Sequence, residues 1–377
     1  MWYQVNQIEH EKIEDTMELY PVIMAGGSGT RFWPASRANY PKQFLKIIGS
    51  NTMVEETLKR VKPLAAEEHT IIVSNKEHHQ LLHTLLGENR YVILEEPLGR
   101  STAPCIGLAA LYLKKQGIID QPMAVLPADH FIAEEETFRK ILSIGCKLAQ
   151  KGDIVTLGIV PTRPETGYGY LERGEVKKEI EGVTVYAVTR FVEKPDQKTA
   201  LAYLNSGGYF WNGGIFIFTP KTILEEIKLH LPSVYAGLQT IEEAMGTSRY
   251  HEVLFSVYQN LPSLSIDYGV MEKTKRPMLT LPGDFGWSDV GSWESVYDLR
   301  KEERDKENNL TQGDVILINT QSSFVFSQSN KMVVGLGIKD LLIVATQDVV
   351  LVGDLKTSQD IKKIIEELKE QGLHHIL

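Results

Sequence analysis

The sequence predicts an α/β fold with a largely parallel central sheet, followed by a small β domain. Three observations carry this. From Pro21 onward, β-rich runs at 21–24, 70–73, 91–94, 123–126 and 154–159 alternate with helical stretches at 52–61, 76–86, 103–116 and 134–150, the rhythm of strands joined by crossover helices. At Arg300–Asn309 the composition turns almost wholly charged or amidic (RKEERDKENN), which reads as a solvated helix end and linker. Short strand-like pieces then follow at Val315–Ile318, Phe324–Phe326, Met332–Leu336, Leu341–Ala345 and Val349–Val352. A terminal helix Ser358–Gln371 closes the chain, with Ile361, Ile364, Ile365 and Leu368 on one stripe and Ser358 as its expected N-cap.

A length of 377 residues suits two domains. The expected division is an N-terminal extension at 1–19 (an accessory helix or arm), a main domain at 20–300, a linker at 301–312 and the small β domain at 313–377. Segment 160–220 departs from the α/β rhythm. Its turn signals (Pro161, Pro164, Gly167, Gly169, Gly174, Gly182) and the cluster Trp211-Asn212-Gly213-Gly214 read as strands and loops inserted to wall off a pocket, with helices resuming at 221–230, 234–245 and 294–302.

Composition narrows the function. A net charge of −9 argues against nucleic acid as the main partner, because phosphate backbones need a basic face, yet leaves room for a nucleotide in a local cationic cluster. Two cysteines, Cys105 and Cys146, make neither a disulfide framework nor a metal knuckle. The N-terminus has no signal-like apolar core and no apolar run approaches 18 residues, so the expectation is a cytoplasmic protein with no membrane contact. The histidines form no zinc pattern, and no Gly-x-Ser-x-Gly elbow supports a serine hydrolase.

Residues 21–43, PVIMAGGSGTRFWPASRANYPKQ, carry the strongest chemical signal. An apolar strand runs into Gly26, Gly27, Gly29 and Thr30, with Arg31 next and Lys42 eleven residues later. Such glycines let backbone N–H groups close on an anion, and the two cations add full charge, an arrangement suited to a nucleoside triphosphate. It is not a P-loop, since the chain has no Gly-Lys pair, and the dinucleotide fingerprint fails at Phe32.

Two aspartates are placed to hold Mg²⁺ beside a triphosphate. Asp129 follows the apolar run Met123–Val125, and Asp289 sits in GWSDVGSW between glycines and tryptophans; capping or turn chemistry is the competing reading of each. Glu193-Lys194 before Pro195 can present a hydroxyl acceptor and a phosphate-binding cation, or form a surface ion pair. Thr166–Tyr170 with Gly169, Asn212-Gly213-Gly214 and Ser265–Tyr268 with Asp267 offer groups of the kind that read sugar hydroxyls, with turns or a helix cap as the alternative. Arg100, Ser101 and Thr102 open the helix at 103, where the competing reading is a plain N-cap.

Eight stretches in order, AGGSGTRFWPASRANYPKQF, EPLGRSTAP, LPADHFI, TLGIVPTRPETGYGYLERG, FVEKPD, YFWNGGIFIF, SIDYGVMEK and GWSDVGSWESV, resemble the sugar-1-phosphate nucleotidylyltransferases, and most closely the bacterial mannose-1-phosphate guanylyltransferase branch. The stretch GIKDLLIVATQDVVLV resembles that family's small β-helical domain. The resemblance implies a Rossmann-like nucleotidyltransferase domain plus a β-helix-like domain, and the reaction of GTP with mannose 1-phosphate to give GDP-mannose and pyrophosphate. It implies that Gly26, Gly27 and Gly29 cradle the triphosphate, Arg31 neutralises the departing phosphates, Lys42 acts at the α-phosphate, and Asp129 and Asp289 hold Mg²⁺. It also implies that Arg100, Ser101 and Thr102 lie near the nucleotide, that Lys194 binds the sugar phosphate, and that Glu193, Asn212, Asp267 and the Gly169 backbone hold the sugar. The resemblance also implies a homodimer through the C-terminal domain, and, since the sequence ends soon after the small β domain, a monofunctional transferase without the isomerase domain of bifunctional relatives is expected.

Against the family pattern, Gly213 stands for serine, Ser101 for asparagine, and Phe32 and Ala35 for leucines. A pyrophosphorylase for another sugar and base, or a catalytically silent subunit that senses GDP-sugars, are the competing functions.

Overall fold

The computed structural model describes residues 18–27 and 29–377; the arm expected over residues 1–19 lies almost wholly outside the described residues. Its strands are β1 (Tyr20–Met24), β2 (Ile71–Asn75), β3 (Val92–Glu96), β4 (Met123–Pro127), β5 (Phe131–Ile132), β6 (Ile154–Ile159), β7 (Gly169–Ile180), β8 (Val183–Glu193), β9 (Tyr209–Phe218), β10 (Met278–Pro282) and β11 (Trp287–Ser288). Nine of them form one sheet in the order β3-β2-β1-β4-β9-β6-β10-β8-β7. The run β3-β2-β1-β4 is parallel, as is β6 with β10, while β9 and β8 run against their neighbours. The sheet is mixed and mostly parallel, as expected.

Alternate residues of the parallel strands enter two different cores, which explains their near-continuous apolar runs. Val22, Val73 and Val125 face one core with the helix Thr102–Lys115, against which Pro220–His230 and Pro232–Ala244 pack. Ile23, Ile72 and Leu126 face the other, with helices Met53–Val61 and Glu135–Ala149. The first of these last two helices opens on a capping box between Thr52 and Glu55.

Segment 160–220 is not an insertion beside the sheet. Its strands β7, β8 and β9 belong to the sheet, and β7 pairs with β9 as well as β8. Asn212-Gly213-Gly214 lies within β9 instead of a turn, at a register shift against β6, and Thr156 Oγ1 donates to Asn212 Oδ1 (3.1 Å) to hold it there. Two helices, Gln197–Ser206 and Tyr250–Asn260, add to those that the sequence pattern predicts.

The C-terminal part contains β12 (Leu310–Gln312), β13 (Val315–Ile318), β14 (Phe324–Ser327), β15 (Val333–Leu336), β16 (Leu341–Ala345) and β17 (Val350–Asp354). β12-β14-β16 and β13-β15 are parallel ladders, with only β17 antiparallel, so this is the expected β-helix-like domain. Its core residues Phe324, Phe326, Leu342 and Val344 join Phe32, Trp33 and Trp293 from the main domain in one apolar cluster. The unusual Phe32 is thus a packing residue, its ring 5.1 Å from that of Trp293. Ser358 does not cap the terminal helix. It is buried in a 3₁₀ turn and accepts from the Glu294 amide (3.2 Å), while the helix itself runs Ile361–Glu370.

Candidate functional site

The glycine loop leaves the carboxyl end of β1, and Asp129 leaves the end of its parallel neighbour β4, the position where ligands collect in α/β sheets. Asp289 reaches the same place through the two-residue ladder of β5 and β11, in which Trp287 pairs with Ile132 and Ser288 with Phe131. That ladder brings together two carboxylates 160 positions apart in the chain.

Lys42 sits between them. Its ammonium, on a side chain only 6% exposed, donates to Asp129 Oδ2 (2.8 Å), the Asp129 carbonyl (3.0 Å) and the Asp289 carbonyl (2.7 Å). Burial pushes the Asp129 carboxyl up, but Lys42 and His130 outweigh it and leave it below the ordinary aspartate value. Gly29 presses on the Lys42 backbone. It has φ 57°, and a Cβ there would lie 2.7 Å from the Lys42 amide nitrogen, so the loop can close on Lys42 only with glycine at this position.

Three cavities adjoin at Asp289; the largest, of about 700 Å³, reaches both Arg31 and Lys194, and two are smaller. One of the smaller two, of about 280 Å³, is lined by Gly29, Thr30, Arg31, Lys42, Asp129 and Asp289 among others. The second, of about 240 Å³, is lined by Gly169, Glu193, Lys194, Asn212, Asp267 and Asp289 among others. Arg31 and Lys42 thus line the first, Glu193, Lys194, Asn212 and Asp267 the second, and Asp289 both.

In the second chamber Asn212 Nδ2 donates to Asp267 Oδ1 (3.1 Å), and Lys194 Nζ to Glu193 Oε1 (2.6 Å). Glu193 Oε2 is buried with no hydrogen-bond partner among the described residues, an open acceptor that calls for a donor such as a hydroxyl. Burial, and then the nearby Glu193 charge, push Asp267 up to about 6. Lys194 has φ 48° and Val290, next to Asp289, φ 49°; such strain in residues with side chains gathers at functional sites. At Gly213 a Cβ would lie 3.0 Å from the Leu157 carbonyl, so the serine of the family pattern would crowd β6 here.

The three residues that open the helix at 103 behave unequally. Thr102 lines the second chamber and its Oγ1 accepts from the Ile266 amide (2.8 Å). Arg100 instead donates to the carbonyls of Tyr258 (2.6 Å) and Gln259 (2.8 Å), tethering the helix Tyr250–Asn260. Ser101 is exposed and makes no capping hydrogen bond. Gly26 lies over the buried Glu96, and Gly27 has open space around it.

Several site residues escaped the sequence reading. Tyr168 donates its hydroxyl to Asp289 Oδ1 (2.6 Å), and burial followed by that carboxylate raises its own pKa. The aromatic between two glycines was the available signal. His130 accepts at Nδ1 from the Trp287 indole (3.2 Å); indole is only a donor, so the imidazole proton lies on Nε2. Burial holds His130 down to about 4, hence neutral. Outside these cavities, burial raises Glu96, beside Gly26, to about 7 against the opposing Tyr258 hydrogen bond. Lys362, from the terminal helix, lines the first chamber.

The donor set fits a hard divalent ion of the magnesium type. Asp129 Oδ2 is taken by Lys42 and Asp289 Oδ1 by Tyr168, which leaves one oxygen of each carboxylate for a cation. Among the described residues no group of three or more metal-ligating side chains exists, so phosphate oxygens and water would have to complete the shell, as Mg²⁺ prefers. No helix among the described residues is long and apolar enough to cross a membrane.

Comparison with known proteins identifies the family. The family model described as nucleotidyl transferase matches residues 20–306, and the model described as MannoseP isomerase/GMP-like beta-helix domain matches 313–368. The mannose-1-phosphate guanylyltransferase of Escherichia coli K12 is 42% identical over 95% of this chain and 75% of its own length. ManC of Salmonella typhimurium, of the same description, is 42% identical over 95% of this chain and 74% of its own. A solved structure from Thermus thermophilus, described as mannose-1-phosphate geranyltransferase, superposes with a TM-score of 0.82 at 34% identity, covering 94% of this chain and all of that one. The chain belongs to the nucleotidyl transferase family and, within it, to the branch of the mannose-1-phosphate guanylyltransferases.

Proposed function

We propose that the protein transfers GMP from GTP to mannose 1-phosphate, forming GDP-mannose and pyrophosphate. The observation that carries this is the Asp129–Lys42–Asp289 cluster in a cationic cavity that adjoins, at Asp289, a second one supplied with hydroxyl-reading groups. GTP occupies the first chamber with its α-phosphate at Lys42. Mannose 1-phosphate occupies the second, its phosphate at Lys194 and its hydroxyls on Glu193, Asn212, Asp267 and the Gly169 backbone.

A sugar-phosphate oxygen attacks the α-phosphorus in line, a new P–O bond forms, and the bond to the β-phosphate oxygen breaks to release pyrophosphate. No protein atom is consumed and no proton need move, so positioning and charge stabilisation do the work. Asp129 and Asp289 would hold Mg²⁺, which when bound offsets the charge on the phosphates. Lys42 faces the equatorial oxygens, Arg31 the leaving group, and Tyr168 orients Asp289 through its 2.6 Å hydrogen bond. Incubation with GTP, mannose 1-phosphate and Mg²⁺ should yield GDP-mannose and pyrophosphate in equal amounts; release of inorganic phosphate or free GMP alone would refute the assignment.

Lys194 divides the two substrates. Lys194→Gln should raise the KM for mannose 1-phosphate about tenfold or more and leave that for GTP within about twofold, as expected for one lost charge-assisted contact. Equal rises for both would remove it from the sugar-phosphate role.

A homodimer is the assembly we favour. Cross-strand pairs Ile316–Val334 and Ile318–Leu336 of the β13–β15 ladder are all exposed, between 45% and 69%, a contiguous apolar strip of the kind that a second copy covers. Sedimentation at roughly twice the 42.5 kDa chain mass is expected, falling to monomer in Leu336→Glu; a wild-type monomer at micromolar concentration would overturn it.

A further inference from the structure

The terminal helix of the β domain carries a cation into the nucleotide chamber. We propose that Lys362 binds the β- and γ-phosphates of the nucleoside triphosphate and the pyrophosphate that leaves, so that the β-helix-like domain completes the leaving-group site. The inference rests on the nucleotidyl-transfer reading above but concerns a residue outside its motifs.

Lys362 lines the chamber with Arg31, Lys42 and Asp289. It forms no ion pair among the described residues, whereas the adjacent Lys363 is paired with Asp360 (3.0 Å). Its ammonium pKa is lowered by Arg31 and then by burial, with Glu366 opposing and Lys194 adding a smaller effect. Arg31 itself is tied only to the Gly291 carbonyl (3.2 Å) among the described residues. Arg31, Lys42 and Lys362 thus line one cavity, and Arg31 and Lys362 repel one another, an unfavourable arrangement that a polyanion between them would relieve.

The placement is anchored. Ile361 and Ile365, on either side of Lys362, are 4% and 7% exposed and enter the same apolar cluster as Phe32 and Trp33, the residues that follow Arg31. The Trp33 indole donates to the Ile376 carbonyl (2.7 Å), and Arg37 bonds the same carbonyl. The helix and the loop that bears Arg31 are therefore packed as one unit.

The test is a comparison of substrates in both reaction directions. Lys362→Met should raise the KM for GTP and for pyrophosphate about tenfold each, leave those for mannose 1-phosphate and GDP-mannose within about twofold, and be largely rescued by Lys362→Arg. Lys363→Gln, next to it on the surface, should behave as wild type. A general structural defect would move all four substrates together, and that result, or no change in any, overturns the proposal. If the wild type formed no GDP-mannose, the functional reading would fall by itself. Calorimetry with pyrophosphate would then decide on Lys362: a roughly tenfold weaker affinity in Lys362→Met upholds its role, and equal affinity ends it.

Discussion

Asp289→Asn is expected to lower kcat by roughly three orders of magnitude, since a charge that stabilises the transferring phosphoryl group contributes several kcal/mol, while the thermal midpoint stays near that of the wild type. The structure explains the split. Lys42 bonds the backbone carbonyl of residue 289, not its side chain, and an asparagine oxygen can still accept from Tyr168. The substitution removes the negative charge and spares the scaffold. Measured kcat with Mg²⁺ and GTP, beside a melting curve, checks both halves. A variant that turns over near the wild-type rate would take Asp289 out of the metal-holding role.

Lys42→Met should damage stability and activity together. Methionine keeps the stem but leaves Asp129 Oδ2 and two carbonyls without their donor. Breaking a buried pair costs about 3–5 kcal/mol, and because the Asp129 side chain is 35% exposed the expectation here is nearer ~2 kcal/mol. Turnover should fall by roughly two to three orders of magnitude, the scale of a lost fixed positive charge beside the developing negative one. The stability difference also depends on pH. Lys42 holds Asp129 below its ordinary value against the upward pull of burial, so this stabilisation is present above the unfolded aspartate pKa and is lost as pH falls through the folded one. Denaturant midpoints of the two proteins should therefore converge in acid. A constant gap from neutral pH downward would contradict the pairing.

The parts of the site that could be read from the chain were those that local chemistry determines. The loop after β1 announces itself because only glycine suits φ 57° against Lys42, and Asp129 because it ends an apolar strand. What could not be read depends on long-range pairing. β5 and β11 are two residues each, too short to show a period, yet they set Asp289 beside Asp129. Asn212-Gly213-Gly214 has the composition of a turn, and only its seat between β6 and β7 makes it a strand. Ser358 has the right type and spacing for an N-cap, but tertiary contact with Glu294 takes its hydroxyl elsewhere. The two Arg100 hydrogen bonds to carbonyls of the helix Tyr250–Asn260 join segments about 160 positions apart, and no local pattern signals them. Lys362 lies in a domain with no phosphate motif, and its approach to Arg31 follows from the shared apolar cluster of the two domains.

The most direct measurement is pyrophosphate release with Mg²⁺, crossing GTP, UTP, dTTP and ATP with mannose 1-phosphate and glucose 1-phosphate. The two-chamber account predicts strong release with GTP and mannose 1-phosphate and little with any other pair. Absence of release from every pair by folded protein would contradict it and point to a silent, GDP-sugar-binding subunit; preferred release from another pair would keep the in-line chemistry and overturn the assignment of mannose and guanine.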